Sequence, residues 1–145
     1  MEWFKGAKVD ELIVLRLDRG EDIQKSVEKL AKDEDIQSGV VVSGIGTLEK
    51  ARLHMVTSTD YPVLEEFVEM ECPLEVTAID GIIADYHPHL HITIGDTKQA
   101  YAGHLELGCR VLYLAELVIL KLSGLQLTRI NHPETAIPQL KVKLD

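Results

Sequence analysis

Alternation of apolar and polar positions dominates this chain and predicts a sheet-rich fold. Residues 87–94 show it most clearly, because leucine and isoleucine there alternate with a polar set consisting of His87, His89, His91 and Thr93. A period of two residues is typical of a strand with one apolar and one polar face. Similar β-rich runs predict strands at residues 11–17, 38–45, 48–57, 63–71, 74–79 and 125–130.

One segment has helical spacing instead. Glu21 and Asp22 place acidic charge where the dipole of a helix favours it, at the first turn. The apolar positions that follow recur at i, i+4, i+7 and i+8, namely Ile23, Val27, Leu30 and Ala31. The pattern predicts an amphipathic helix that ends at about Asp33.

Glycines and prolines supply the expected interruptions. Gly44 and Gly46 are expected to end the strand of residues 38–45, and Asp80-Gly81 is a strong turn signal after residues 74–79. The tail from Asn131 contains two prolines and is expected to be loosely packed. Residues 111–122 are apolar on both parities apart from three interruptions, so the pattern allows either a buried helix or a long strand.

These elements predict an α+β fold with a mostly antiparallel sheet and one main helix near the N-terminus. The length of 145 residues suits one domain over residues 1–145, and the chain shows no repeat and no low-complexity linker.

A histidine hairpin is the strongest chemical signal. Residues 95–98 are expected to form a tight turn, after which the chain returns through residues 99–105 and carries His104 on the partner strand. A two-residue loop would place His89 opposite His104, and a four-residue loop would place His91 there. Either even length brings His104 to the face that carries both histidines, whereas an odd length would point it away.

Three imidazoles on one face can form a metal site. Opposed Cβ atoms lie about 5 Å apart and alternate residues of one strand about 7 Å apart, so the rings can converge on one ion at about 2.0–2.1 Å per Zn–N bond. We therefore predict His89, His91 and His104 as ligands of one divalent ion, with zinc first because imidazole nitrogen suits it. The competing interpretation is a solvated polar strand face. His87 precedes Pro88 and is interpreted as a strand-entry residue rather than a ligand.

Composition narrows the class of partner. The formal net charge of −9 lacks the positive field that drives binding to nucleic-acid phosphates. Cys72 and Cys109 form no Cys-x-x-Cys pair and are expected to be thiols of a reducing compartment. The sequence shows neither a targeting segment nor an apolar run long enough to span a bilayer, so we expect a cytoplasmic protein without a membrane partner.

Four landmarks in order give the chain a family resemblance: residues 15–22 (LRLDRGED), 43–48 (SGIGTL), 88–91 (PHLH) and 103–105 (GHL) followed by Gly108. Over nearly its whole length the chain resembles the Plants and Prokaryotes Conserved domain. Ala102 departs from the family, which more often has a second glycine there. The resemblance implies a compact α+β fold, a homotrimer, and a metal held by His89, His91 and His104. It also favours a strand for residues 111–122, and it brings a description of DNA binding that the charge of this chain disfavours.

Two classes of function follow. The first is a metal-stabilised trimeric module with a regulatory role through protein contacts or at DNA. The alternative is a zinc-dependent lyase or hydrolase that takes a small carboxylate or carbonyl compound at the three-histidine site. The chain also resembles acetolactate decarboxylase distantly at the level of fold, which suits the alternative.

Two carboxylates are candidate acid or base groups for the alternative. Glu106 lies two residues beyond His104, and it could equally be a solvated carboxylate at the end of the strand. Glu116 lies within an apolar run, where it could instead pair with Arg16 or lie at a subunit interface.

Overall fold

Antiparallel strand pairing accounts for most of this computed structural model, which describes residues 1–143. In chain order the described part contains β1 (Lys8–Asp18), α1 (Ile23–Asp33), β2 (Ser38–Val56), β3 (Glu65–Met70), β4 (Leu74–Ala84), β5 (His87–Gly95), β6 (Ala100–Leu105), β7 (Arg110–Ser123), β8 (Leu127–Asn131) and β9 (Pro138–Val142). The predicted α+β class is confirmed, with the one helix near the N-terminus. The ambiguous residues 111–122 lie in a strand, β7.

The long strand β2 organises the sheet. The main path runs β1-β7-β2-β4-β5-β6, and β3 adds to β2. The N-terminal half of β2 pairs with β4, while its far half returns to β6 through the pairs Leu53–Leu105 and His54–His104. Strands β2, β4, β5 and β6 therefore form a closed circuit of pairings, with an apolar side facing the core and a second face turned outward.

The helix covers one part of that core. The side chain of Asp22 caps α1 by accepting a hydrogen bond from the Lys25 amide, and its other oxygen accepts one from the Gly108 amide at 2.7 Å. Ile23, Val27 and Ala31 are buried, as the helical stripe predicts. Within residues 1–143 no helix is both long and apolar enough to cross a membrane.

The predicted turn at Asp80-Gly81 is wrong. Strand β4 continues through both residues to Ala84, and the hairpin to β5 turns instead at Asp85 and Tyr86. Both turn residues have positive φ, 53° and 68°, as two-residue hairpin loops require. Gly81 has a different reason to be glycine, because a Cβ there would overlap the carbonyl oxygen of His89 on the neighbouring strand.

The predicted break between residues 45 and 48 is also wrong. Strand β2 runs unbroken from Ser38 to Val56, and the glycine-rich stretch is absorbed as register shifts against β7 rather than as a turn.

The expected loosely packed tail is ordered as a strand. β9 pairs with β8 from Leu127–Val142 to Asn131–Pro138, so these two strands form a separate hairpin. Pro138 is the first residue of β9, a position where a strand tolerates the missing amide donor. This hairpin packs beside β4, where the side chain of Arg129 donates to the carbonyl of Ile82 at 3.3 Å.

Candidate metal centre

Four polar residues form a row across the outward face of the closed circuit. Asp80 of β4 opposes His91 of β5, His91 opposes His104 of β6, and His104 opposes His54 of β2. Opposed residues share a face. The row exists because the β5–β6 loop has four residues, with Gly95 paired to Ala100, which is the second of the two predicted loop lengths.

His89 and His91 present a matched pair of ring nitrogens. Their Nε2 atoms lie 3.3 Å apart, and the two rings are nearly parallel at 14°. Two ligands at about 2.05 Å from a tetrahedral ion stand about 3.3 Å apart. The separation therefore fits one edge of a tetrahedral zinc coordination shell.

His104 stands edge-on to both of those rings. Its centroid lies 4.7 Å from that of His89 and 5.6 Å from that of His91, at interplanar angles of 76° and 72°. The structure thus brings together all three histidines that the sequence predicts as ligands.

A second donor set lies on the other side of His104. The Nδ1 of His54 is 2.7 Å from Oε1 of Glu106, and the same oxygen is 3.3 Å from the Nδ1 of His104. The rings of His54 and His104 stack at 4.4 Å and 21°. The ligating atoms of these three residues lie within 4.8 Å of one another, so this set could hold an ion.

His104 is therefore the shared member of two donor sets. Its side chain is only 19% exposed, and its buried Nδ1 has no hydrogen-bond partner within residues 1–143, since Glu106 lies near it outside hydrogen-bond geometry. A buried ring nitrogen without a partner is costly, which indicates a ligand or a small adjustment toward Glu106. The residues present fit an imidazole-bound divalent ion.

Two histidines in this cluster, His89 and His104, favour their neutral forms. Desolvation, followed by the nearby His104 and Arg129, lowers the pKa of His89 to about 4. Desolvation and then His54 lower the pKa of His104, although Glu106 acts in the opposite direction. Neutral imidazole is the form that binds a metal, so these environments favour the protonation state that coordination requires.

The other residues singled out from the sequence differ in whether they reach the histidine cluster. Glu106 follows the end of β6 and still reaches the cluster, as described above. His87 lies apart from it, with its Nδ1 3.8 Å from a carboxylate oxygen of Glu28 on α1. Glu116 is exposed on β7; it opposes Arg16 in register, yet the guanidinium of Arg16 contacts Asp18 at 3.1 Å instead.

Sequence reasoning missed His54. Its strand was predicted, but nothing within residues 48–57 indicates that this histidine faces the hairpin. The pairing of β2 with β6 joins residues about fifty positions apart, and only that pairing reveals the contact.

A cleft of about 620 Å³ opens beside the histidine pair. It lies between the β8–β9 hairpin and strands β2, β4 and β5. Its walls include His89, His91 and Arg129, with apolar surface supplied by Val40, Val42, Ile82, Pro138 and Leu140. No local pattern indicated that Arg129 lies near the histidines, because the tail after residue 130 was not expected to pair with its strand.

Comparison with known proteins gives one family and a consistent fold. Residues 5–123 match the family model described as the Plants and Prokaryotes Conserved domain. Over 130 residues, 89% of this chain, the sequence is 32% identical to the bifunctional protein GlmU of Synechococcus sp. (strain JA-2-3B'a(2-13)). The chain spans only 20% of that protein.

Two solved structures share the fold over almost the full length of both chains. The metal-containing protein AF0104 from Archaeoglobus fulgidus is 25% identical, with a TM-score of 0.81 and coverage of 96% of this chain and 98% of that one. A candidate DNA-binding protein from Bacteroides thetaiotaomicron is 20% identical, with a TM-score of 0.79 and coverage of 92% and 94%.

Proposed function

The chain belongs to the Plants and Prokaryotes Conserved domain family, and we propose that it is a metal-binding member that holds one divalent ion through His89, His91 and His104. The observation that carries the proposal is the 3.3 Å separation of the His89 and His91 Nε2 atoms, with His104 edge-on to both rings. Zinc is the proposed ion, because an all-imidazole donor set and a tetrahedral edge suit it. The description of AF0104 as metal-containing supports the proposal.

His54 and Glu106 have a supporting role in this proposal. A carboxylate beside the second nitrogen of a ligating histidine orients the ring and fixes its tautomer. Glu106 lies beside the Nδ1 atoms of both His54 and His104, and stacking with His54 restricts the rotation of the His104 ring.

Metal analysis of purified protein tests the proposal. After chelation and reloading with zinc, the wild-type chain should hold one zinc per chain, and His104→Ala should hold none. His87→Ala is the matched control, because His87 belongs to the same hairpin and lies apart from the cluster; it should bind like wild type. Full zinc retention by His104→Ala would refute the three-histidine site.

We propose further that the chain assembles as a homotrimer. The outward side of β1 leaves Leu12 and Val14 exposed, opposite Leu120 and Val118 of β7, and this makes an apolar strip at the edge of the sheet. Exposed apolar strips on an edge strand mark association surfaces. A closed ring of three copies would cover the strip on each.

The proposed role of the module is regulatory, through ligand or protein contacts rather than through direct contact with DNA. Neighbours of the same fold are described as candidate DNA-binding proteins. This chain carries 24 acidic and 15 basic residues, so phosphate contacts would have to overcome its own repulsive field.

The cleft beside His89 and His91 favours a second candidate, a metal-dependent lyase or hydrolase acting on a small carboxylate or carbonyl compound. When bound, zinc would supply Lewis acidity at that point. In this candidate the histidines position the reacting group, the cleft reduces its contact with water, and Glu106, whose Oε1 lies 3.3 Å from the Nδ1 of His104, is the carboxylate that exchanges a proton. Turnover of such a compound that disappears in both His91→Ala and Glu106→Gln would support it. Turnover unchanged in either variant would exclude that residue from the reaction.

A further inference from the structure

Arg129 is a half-buried cation without an acidic partner. One of its Nη atoms donates to the carbonyl of Ile82, and no carboxylate oxygen of residues 1–143 lies within 4.0 Å of its guanidinium. Other arginines of this acidic chain, such as Arg52 and Arg110, do contact glutamates. Burial lowers the pKa of Arg129 by desolvation, although a guanidinium stays protonated.

A desolvated charge is costly unless something pairs with it. The chain has an excess of nine acidic residues from which a partner could come, yet none of those described lies within ion-pair distance of the guanidinium, and Asp80, in the same cleft, is also beyond it. The guanidinium instead lines the cleft that His89 and His91 also line. An anion entering this cleft would be the partner that the guanidinium lacks. It would accept hydrogen bonds from several N–H donors arranged in a planar fork.

The rest of the cleft decides which kind of anion fits. Val40, Val42, Ile82 and Leu140 give it apolar walls, which suit a short hydrocarbon tail rather than a bare inorganic ion. Asp80 lies exposed at the same cleft and disfavours a second negative charge. The chemistry therefore suits a monoanion with one charged end and one apolar end.

We infer that Arg129 binds the carboxylate of a small monocarboxylic acid whose short apolar tail lies between the β8–β9 hairpin and β4, next to the histidine site. The inference rests on the proposed function for the location of the ion, and it adds the class of ligand and the residue that selects it. Arg129 lies beyond residues 5–123, the range that matches the family model. The selecting residue therefore belongs to the hairpin that follows that range.

Calorimetric titration with butyrate tests the inference on the full chain, both zinc-loaded and chelated. Wild type should bind butyrate, and Arg129→Gln should weaken binding at least tenfold in each form that binds, with zinc content unchanged. Arg129→Lys should fall between them, because it keeps the charge and loses the fork. Arg19→Gln, a change to an exposed arginine in the turn after β1, should stay within twofold of wild type.

Three further probes define the ligand class. Butanol lacks the charge and butylamine reverses it, so neither should bind to the degree that butyrate does. Inorganic phosphate has the charge without the tail and should bind more weakly than butyrate. Phosphate binding tighter than butyrate would overturn the assignment of a monocarboxylic acid.

The remaining outcomes separate this inference from the proposed metal site. The inference would be overturned if Arg129→Gln bound butyrate within twofold of wild type, or if wild type bound no butyrate in either form. Neither result would bear on the metal site, which the zinc stoichiometry tests separately. A wild-type chain that holds no zinc yet binds butyrate in an Arg129-dependent way would refute the metal site and retain the carboxylate site. Circular dichroism of each variant, compared with wild type, separates loss of binding from loss of folding.

Discussion

His91 and His104 lie directly opposite each other across β5 and β6, and His104 in turn lies directly opposite His54 across β6 and β2. His104 is consequently flanked by imidazoles on both sides. On one side are His91 and its neighbour His89, and on the other is His54, which contacts Glu106. Loss of His104 removes a member of both donor sets, so variants of the flanking residues are needed to distinguish them.

Replacing one residue of each set identifies the ligands. His89→Ala should abolish stoichiometric zinc, because it removes one of the two nitrogens separated by 3.3 Å. His54→Ala should keep stoichiometric zinc and lower its affinity by about 10–100-fold, the usual effect of losing a partner that orients a ligand. Competition with a chromophoric chelator measures both affinities. The reverse pattern, with zinc lost in His54→Ala and retained in His89→Ala, would place the ion between His54, His104 and Glu106.

Acid should destabilise the metal-free protein through His89. The folded-state pKa is about 4, below the ordinary histidine value of 6.5, so the unfolded chain takes up this proton first. The stabilising contribution of His89 is complete above about pH 6.5 and is lost as the pH falls toward 4.

Urea unfolding of chelated protein at several pH values measures this dependence. His89→Gln should show a shallower loss of stability between about pH 6.5 and 4, because glutamine does not titrate. His87→Gln, outside the cluster, should keep the wild-type slope. Equal slopes for wild type and His89→Gln would show that His89 does not titrate as the structure indicates.

The two cysteines should differ in reactivity. Cys109 is completely buried, its Sγ lies 3.3 Å from both the amide and the carbonyl of Arg52, and desolvation raises the pKa of its thiol to about 11. Cys72 is only half-buried. Since the thiolate is the reactive form, a thiol reagent at pH 8 should label one cysteine per native chain quickly and the second only after denaturation. Mass spectrometry should locate the fast label on Cys72; fast labelling of Cys109 would contradict its burial.

Assembly should depend on the strip on β1. Light scattering should give a mass close to three times the 16.2 kDa of one chain. Val14→Glu places a charge on a side chain that is 66% exposed, so it should leave the fold intact and shift the protein toward the monomer. Ile130→Glu on β8, where the original side chain is 57% exposed, is the control and should remain a trimer. A wild-type monomer at micromolar concentration would refute the proposed assembly.

Direct DNA binding should be weak. With nine excess negative charges per chain, affinity for duplex DNA at physiological salt should be low and independent of sequence, and it should fall steeply as salt rises. Fluorescence anisotropy with duplexes of different sequence measures this. Tight, sequence-selective binding that persists after chelation would restore a direct DNA-binding role.

Interactions between residues close together in the chain account for the parts of the structure that could be predicted from sequence. Period-two alternation identified β5 and its outward histidines, and the helical stripe identified α1, because a side chain's face follows from local backbone geometry. The same reasoning limited the β5–β6 loop to even lengths if His104 was to join His89 and His91.

The remaining features depend on contacts between segments that are far apart in the chain. His54 joins the cluster only because β2 is long enough to pair with β4 at one end and β6 at the other. Gly81 is glycine because another strand approaches it closely, which sequence alone cannot distinguish from a turn. Arg129 reaches the cleft because β8 pairs with β9, a strand that the sequence pattern did not predict. Such pairings gain their free energy from contacts between residues far apart in the chain, so no local window of sequence contains the information that fixes them.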